Sequence, residues 1–129
     1  MIDIDDLLGC PYLIHGRSQA GFDCYGLVIE VERRLGRELK DLYTEYTEKN
    51  SEQTLNENSA TFIKNMNLIK TDVHKLGDLV LFFNNKGESV HIGVCLNGDD
   101  FIHCDKRGVS VDRLTDYFRK KREFYKWQE

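Results

Sequence analysis

The 129-residue chain has no apolar run approaching the about 18 residues that a membrane-spanning helix requires, so no membrane partner is expected. Met1 to Leu8 is acidic and lacks the basic start and apolar stretch of a secretory signal peptide. Internal repeats and low-complexity runs are missing as well. Net charge is −4, which leaves no global basic field for nucleic acid. Neither a Cys-x-x-Cys pair nor His-Glu-x-x-His occurs. His91 and Cys95 share a strand face, but His103 and Cys104 alternate, so no metal site and no cofactor are expected. The four cysteines, in a chain without a signal, read as reduced thiols.

What remains is ordinary for a soluble globule, with 40% hydrophobic and 31% charged residues. The length fits one domain, residues 1–129, able to bury a core without disulfides or metal. Ile2 to Leu8 reads as a short helix ended by Pro11, and Gly16 to Gly21 as a polar loop. Lys40 to Asn58 is rich in Glu, Asn, Thr and Ser, and reads as an excursion over a cleft or a solvated connection. Ser59 to Lys70 reads as a second helix with Phe62, Ile63, Met66 and Ile69 toward the core. Strands are expected at Asp78–Phe83, Val90–Leu96, Asp100–Cys104 and Gly108–Val111. A short helix over Asp112–Lys121 and a last strand at Phe124–Trp127 complete the reading. Arg119 to Arg122 reads as a solvated helix end, because residues 112–129 carry six basic and four acidic side chains. Helices first and an antiparallel sheet afterwards make an α+β domain.

The most informative stretch is Asp23-Cys24-Tyr25-Gly26-Leu27-Val28. Cys24, Leu27, Val28, Val31 and Leu35 fall at helical spacing, and Gly36 follows as a stop. Asp23 is a good N-cap, since its carboxylate accepts from an orphan N–H of the first turn. A thiol at the positive end of a helix is favoured as the thiolate, which is the nucleophilic form. Histidines follow downstream, His91 on one expected strand and His103 on the next. A helix-start cysteine with strand histidines is the arrangement that nucleophilic catalysis needs: Cys24 attacks, His91 takes its proton, and His103 orients the His91 ring.

Two registers of the hairpin differ in consequence. A two-residue Asn97-Gly98 turn pairs Leu96 with Asp99 and puts the two imidazoles on opposite faces. A three-residue loop, Asn97-Gly98-Asp99, pairs Leu96 with Asp100 and sets Gly93 opposite His103, with His91 diagonal to it. The triad requires the second register, despite the Asn-Gly signal.

The sequence resembles the NlpC-type cell-wall peptidases, a bacterial branch of the papain-like cysteine peptidases. The motifs run in the family's order: Gly9-Cys10-Pro11-Tyr12, Asp23-Cys24-Tyr25-Gly26-Leu27-Val28, Gly77-Asp78-Leu79-Val80, His91-Ile92-Gly93 and Phe101-Ile102-His103. Tyr25 stands where relatives usually carry Ser, and Leu76 where Pro usually precedes Gly-Asp. Tyr25 and the ending Arg122–Trp127 resemble the phage tail-associated branch.

The resemblance implies a papain-like α+β fold, with N-terminal helices packed on a central antiparallel sheet. It implies Cys24, His91 and His103 as catalytic residues and a peptidoglycan stem peptide as substrate, cut after D-γ-glutamate through a thioester. Asp23 would cap the helix, contact the substrate's amino group, or both. Tyr12 would line the cleft and bond substrate or oxyanion, or else be a buried tyrosine with a local bond. Tyr25, if it projects into the cleft, would remove space near the scissile bond; otherwise it is a core residue. Without a visible signal, the protein is expected to be made in the cytoplasm and to reach the wall through lysis or a phage particle, with phage tail proteins as partners. Two other readings stay open: a tail structural or assembly protein on the same fold, and an amidase or acyltransferase.

Overall fold

An apolar run at residues 79–83 and the strand segments between 89 and 113 build most of one antiparallel sheet. The computed structural model describes residues 2–41, 63–64, 66–117 and 120–128. A small hairpin, β1 (Arg17–Ser18) and β2 (Gly21–Phe22), precedes helix α1 (Cys24–Arg34). The strands that follow are β3 (Leu68–Thr71), β4 (Leu79–Phe83), β5 (Ser89–Cys95), β6 (Asp100–Asp105), β7 (Gly108–Arg113) and β8 (Lys121–Trp127). A 3₁₀ turn, Leu114–Tyr117, follows β7. The sheet order is β3-β8-β4-β5-β6-β7, with antiparallel pairing throughout, so the last strand is inserted between β3 and β4.

Both sheet faces are covered, which explains why β4 reads as a nearly continuous apolar run. On one face Leu27, Val28 and Val31 of α1 pack with Leu79, Leu81, Ile92, Val94 and Ile102. On the other, Val80, Phe82, Cys95, Phe101 and Leu114 form a second cluster, flanked by Tyr117 and Phe124. The helix lies on β5 and β6. Glu32, late in α1, interacts electrostatically with Asp78, whose carbonyl accepts from Cys95 at the end of β5. The helix start therefore points toward the His91 end of β5.

The architecture is α+β as expected, with four local corrections. Ile2–Leu8 is not a helix: residues 5–9 form turns, with Asp3 Oδ1 accepting from Asp5 N–H at 3.0 Å. Such a local side-chain bond competes with helix formation. The expected Gly16–Gly21 loop contains the β1–β2 hairpin. Of the expected helix at 59–70, residues 59–62 and 65 lie outside the described residues, and 63–64 are helical. Asn67 adopts a left-handed φ of 54°, and Leu68–Thr71 then pairs with β8 as a strand, leaving Ile69 exposed. Asn tolerates that conformation, so it breaks the helical pattern. Finally, Asp112 and Arg113 belong to β7, and Lys121 and Arg122 open β8 rather than ending a helix. The expected excursion or solvated connection at Lys40–Asn58 lies outside the described residues from 42 onward.

Candidate active site

Asp23 starts the helix as its composition predicts. Its backbone is extended (φ −94°, ψ 179°), and Oδ1 accepts from Gly26 N–H at 2.7 Å. The same oxygen accepts from Arg17 Nη1 at 2.9 Å, and Oδ2 from His15 N–H at 3.1 Å. The carboxylate is fully buried. Three donors on this buried carboxylate give Asp23 a structural role in capping α1 and holding Arg17 and the His15 backbone.

Cys24 is the first residue of α1 and is buried between helix and sheet. Chain segments from both sides are tied to it. Cys104 Sγ on β6 donates to the Phe22 carbonyl at 3.2 Å, which fixes the His103 strand two residues before the thiol. Phe22 N–H donates to Pro11 O and Leu13 N–H to Phe22 O, each at 2.9 Å, so Tyr12 is bridged beside Phe22. Gly9 and Cys10 are bonded to Val109 on β7. The Gly9–Tyr12 motif is thereby held next to the nucleophile motif, with Tyr12 partly exposed.

Tyr25 does not project into a cleft. Its side chain is 4% exposed, and its hydroxyl donates to the Lys40 carbonyl at 2.5 Å. A phenol at the second position of α1 faces the core layer and ties down the chain that leaves the helix. This corrects the expected substrate contact.

The histidines meet as the three-residue loop requires. Gly93 pairs with His103, Val94 with Ile102 and Cys95 with Phe101, and Leu96 N–H donates to Asp100 O at 2.8 Å. His91 and His103 take the strand positions that alternate with Ile92, Val94, Ile102 and Cys104, and pack with Phe82, Phe101 and Tyr117. His91 Nε2 lies 2.7 Å from His103 Nδ1. Burial, and then the neighbouring His103, lower the His91 pKa to about 3, so this imidazole is neutral at ordinary pH.

A further member was not anticipated. His103 Nε2 lies 2.7 Å from Asp112 Oδ2, and Tyr117 donates its hydroxyl to the same oxygen at 3.1 Å. Burial opposes ionisation of Asp112, but the hydrogen bond and electrostatic attraction of the His103 ring, the Tyr117 bond and the Arg107 guanidinium outweigh it and lower its pKa. Two residues beyond Ser110, which faces His103 across the β6–β7 ladder, Asp112 reads from sequence as the start of a helix; seeing it as a strand residue on the His103 side was the missing step. Hydrogen bonds thus join His91, His103 and Asp112, while Cys24, Asp23 and Tyr25 belong to the layer between α1 and the sheet.

The fold and these side chains define a class: an α+β domain with one helix on an antiparallel sheet, a helix-start cysteine and a bonded histidine pair on neighbouring strands. The NlpC/P60 family model matches residues 9–127, and the chain belongs to that family. It is 31% identical over 107 residues to a probable endopeptidase p60 of Listeria grayi, covering 83% of this chain and 18% of that protein. It is 27% identical over 110 residues to a gamma-D-glutamyl-L-lysine dipeptidyl-peptidase of Bacillus subtilis (strain 168), covering 84% and 32%. The chain therefore spans at most about a third of these relatives. The crystal structure of the NlpC/p60 domain of peptidoglycan hydrolase SagA superposes with a TM-score of 0.54 at 24% identity, covering 89% of this chain and 86% of that one. That likeness concerns the fold.

Proposed function

We propose that this domain is a cysteine peptidase that hydrolyses peptidoglycan stem peptides between D-γ-glutamate and the following diamino acid. The observation that carries the reading is the His91–His103 bond. Because Nε2 of His91 is engaged with His103, Nδ1 is left to act as the base. Family membership and the names of the two relatives support the substrate class.

In this reading Cys24, at the start of α1, is the nucleophile and His91 is the base that takes its proton. The thiol proton passes to Nδ1 as sulfur attacks the carbonyl carbon. The backbone N–H of Cys24, at a helix start, and the Tyr12 hydroxyl face the developing oxyanion. The C–N bond then breaks, the leaving amine takes the proton from His91, and a thioester remains. Water, deprotonated by His91, attacks the thioester and releases the acid and the thiol. His103 orients the His91 ring throughout. The features that resembled a phage tail branch have structural accounts, since Tyr25 packs in the core and Arg122–Trp127 belongs to β8. Delivery to the wall by lysis or a phage particle, with phage tail proteins as partners, stays part of this reading as a proposal.

The test is mass spectrometry of defined muropeptides, with Lys or diaminopimelate stems, after incubation with the protein and with Cys24→Ala. The expected products are cut after D-γ-glutamate by the wild type alone. Cleavage between the lactyl group and L-Ala would make it an amidase, and equal turnover by Cys24→Ala would remove the nucleophile assignment.

A further inference from the structure

We propose that Asp112 is a positioning residue that dictates which nitrogen of His91 is the base, by setting the tautomers of both histidines in sequence. The inference rests on the peptidase reading and extends the site outward by one residue. Its basis is the direction of three hydrogen bonds that share atoms.

An ionised carboxylate only accepts hydrogen bonds. Asp112 Oδ2 is 2.7 Å from His103 Nε2, so that nitrogen carries the proton. A neutral imidazole protonated on Nε2 has only Nδ1 left, as an acceptor. His103 Nδ1 is 2.7 Å from His91 Nε2, so His91 must donate from Nε2. His91 is then bare at Nδ1, the atom that takes the Cys24 proton. Reversing any one bond reverses the next: a His103 protonated on Nδ1 would present a bare Nε2 to the carboxylate, two lone pairs facing each other.

The carboxylate is itself held in place. Tyr117 donates to the same oxygen at 3.1 Å, and Ser110 Oγ stands 3.4 Å from it and 3.5 Å from His103 Nε2. Arg107 Nη2 approaches to 3.9 Å from the more exposed side. His103 is 1% exposed, so water does not compete for its nitrogens. Asp112 touches neither thiol nor scissile bond in this scheme; it acts through His103.

The tautomers can be read directly, without turnover. The whole chain is labelled with ¹⁵N in its four histidines, and two-bond ¹H–¹⁵N spectra are taken near neutral pH, with His15→Gln and His74→Gln used for assignment. The wild type is expected to show His91 and His103 both protonated on Nε2. In Asp112→Ala the single-tautomer pattern of both rings is expected to be lost. The same variant should lower kcat roughly tenfold to a hundredfold with KM within about twofold, the mark of a group acting through another. Asp112→Asn, which keeps an acceptor oxygen, should restore part of both. A wild-type His91 protonated on Nδ1, or an Asp112→Ala variant with wild-type tautomers and kcat, overturns the proposal. The wild-type spectrum suffices even if Asp112→Ala fails to fold. If the peptidase reading fails instead, no stem peptide is cut, while the spectra still report on Asp112.

Discussion

Gly93 on β5 stands directly across from His103 on β6, and the room that a side chain on Gly93 would need is taken by the Ile102 carbonyl, the Phe101 ring and the Cβ of His103. A Cβ there would lie 3.0 Å from the Ile102 carbonyl oxygen, 3.1 Å from Phe101 Cδ2 and 3.3 Å from His103 Cβ. His103 Nδ1 reaches Nε2 of His91, one residue pair away on the diagonal, at 2.7 Å. A glycine in mid-strand usually weakens a sheet, and here it marks a close approach.

Gly93→Ala should therefore destabilise the fold by about 1–3 kcal/mol, as overpacking does. It should also lower activity at temperatures far below the melting transition, because the imidazole pair is pushed apart. Thermal unfolding together with initial rates at low temperature checks both. A variant with normal rates and only a lowered Tm would mean that the ring tolerates the methyl group.

Stability should fall as pH rises through the weakly acidic range, on account of Glu32. This side chain is fully buried on α1, and burial outweighs the Arg37 partner at 3.2 Å to raise its pKa to about 7 from 4.5. A raised carboxylate value means that the folded state holds the proton more tightly than the unfolded chain. The contribution of Glu32 is thus most favourable below pH 4.5, declines as pH climbs to about 7, and is level above that. The gap corresponds to roughly 3 kcal/mol. Glu32→Gln should be the more stable protein at pH 8 and show a flatter pH dependence between 5 and 8. Urea unfolding at both pH values decides it; parallel pH profiles for the two proteins would contradict the assignment.

Most of the fold could be read from the alternation of residues 79 to 111, because β4 to β7 are bounded by turns that the sequence announces. The hairpin register was legible for a different reason: only one loop length puts His91 and His103 on one face. The strand β3 was not legible, since Leu68–Thr71 becomes a strand only by pairing with β8, more than fifty residues away in sequence. The first eight residues carry helical spacing, but Leu7 is buried by turns instead. At the site, the spacing of Cys24, Leu27 and Val28 predicted the helix and its cap. The role of Asp112 depended on β7 running two residues further than its apolar pattern indicates, which no local signal records. Proximity to the nucleophile in sequence does not tell cleft from core for Tyr25, whose place on the helix turns it to the core.

Cys24 should be alkylated by iodoacetamide before the other three thiols near neutral pH. Burial pushes Cys95 and Cys104 up to about 12, so neither is a thiolate under those conditions. Cys10 is also buried, with its sulfur directed at the Asp6 carbonyl at 3.6 Å. The start of α1 offers Cys24 the helix dipole, and His91 offers a proton acceptor in the proposed mechanism. Peptide mapping after brief labelling measures the order. First labelling at Cys10, Cys95 or Cys104 would argue against Cys24 as the nucleophile.

Asp23 and Tyr25 should behave as supports of the nucleophile helix rather than as substrate contacts. Asp23→Ala removes the cap to Gly26 and strips the Arg17 guanidinium and the His15 N–H of their shared acceptor. Loss of a cap alone costs about 1–2 kcal/mol, and the abandoned buried donors add to it. Asp23→Asn keeps an acceptor for the cap but not the charge for Arg17, so it should fall between. Tyr25→Phe leaves the Lys40 carbonyl without the phenol and should cost about 1 kcal/mol, while Tyr25→Ser also opens a cavity and should cost about 3 kcal/mol or more. Urea unfolding gives these values, and KM for a series of stem peptides gives the second axis. If Asp23 bound the substrate's amino group, Asp23→Asn would raise KM for stems with a free amine while leaving those with a blocked amine unchanged. If Tyr25 shaped the cleft, Tyr25→Ser would alter the ranking of peptides at little cost in stability. The buried positions of both side chains lead to the opposite pattern: stability falls, and the ranking of substrates at temperatures where the variants stay folded does not change.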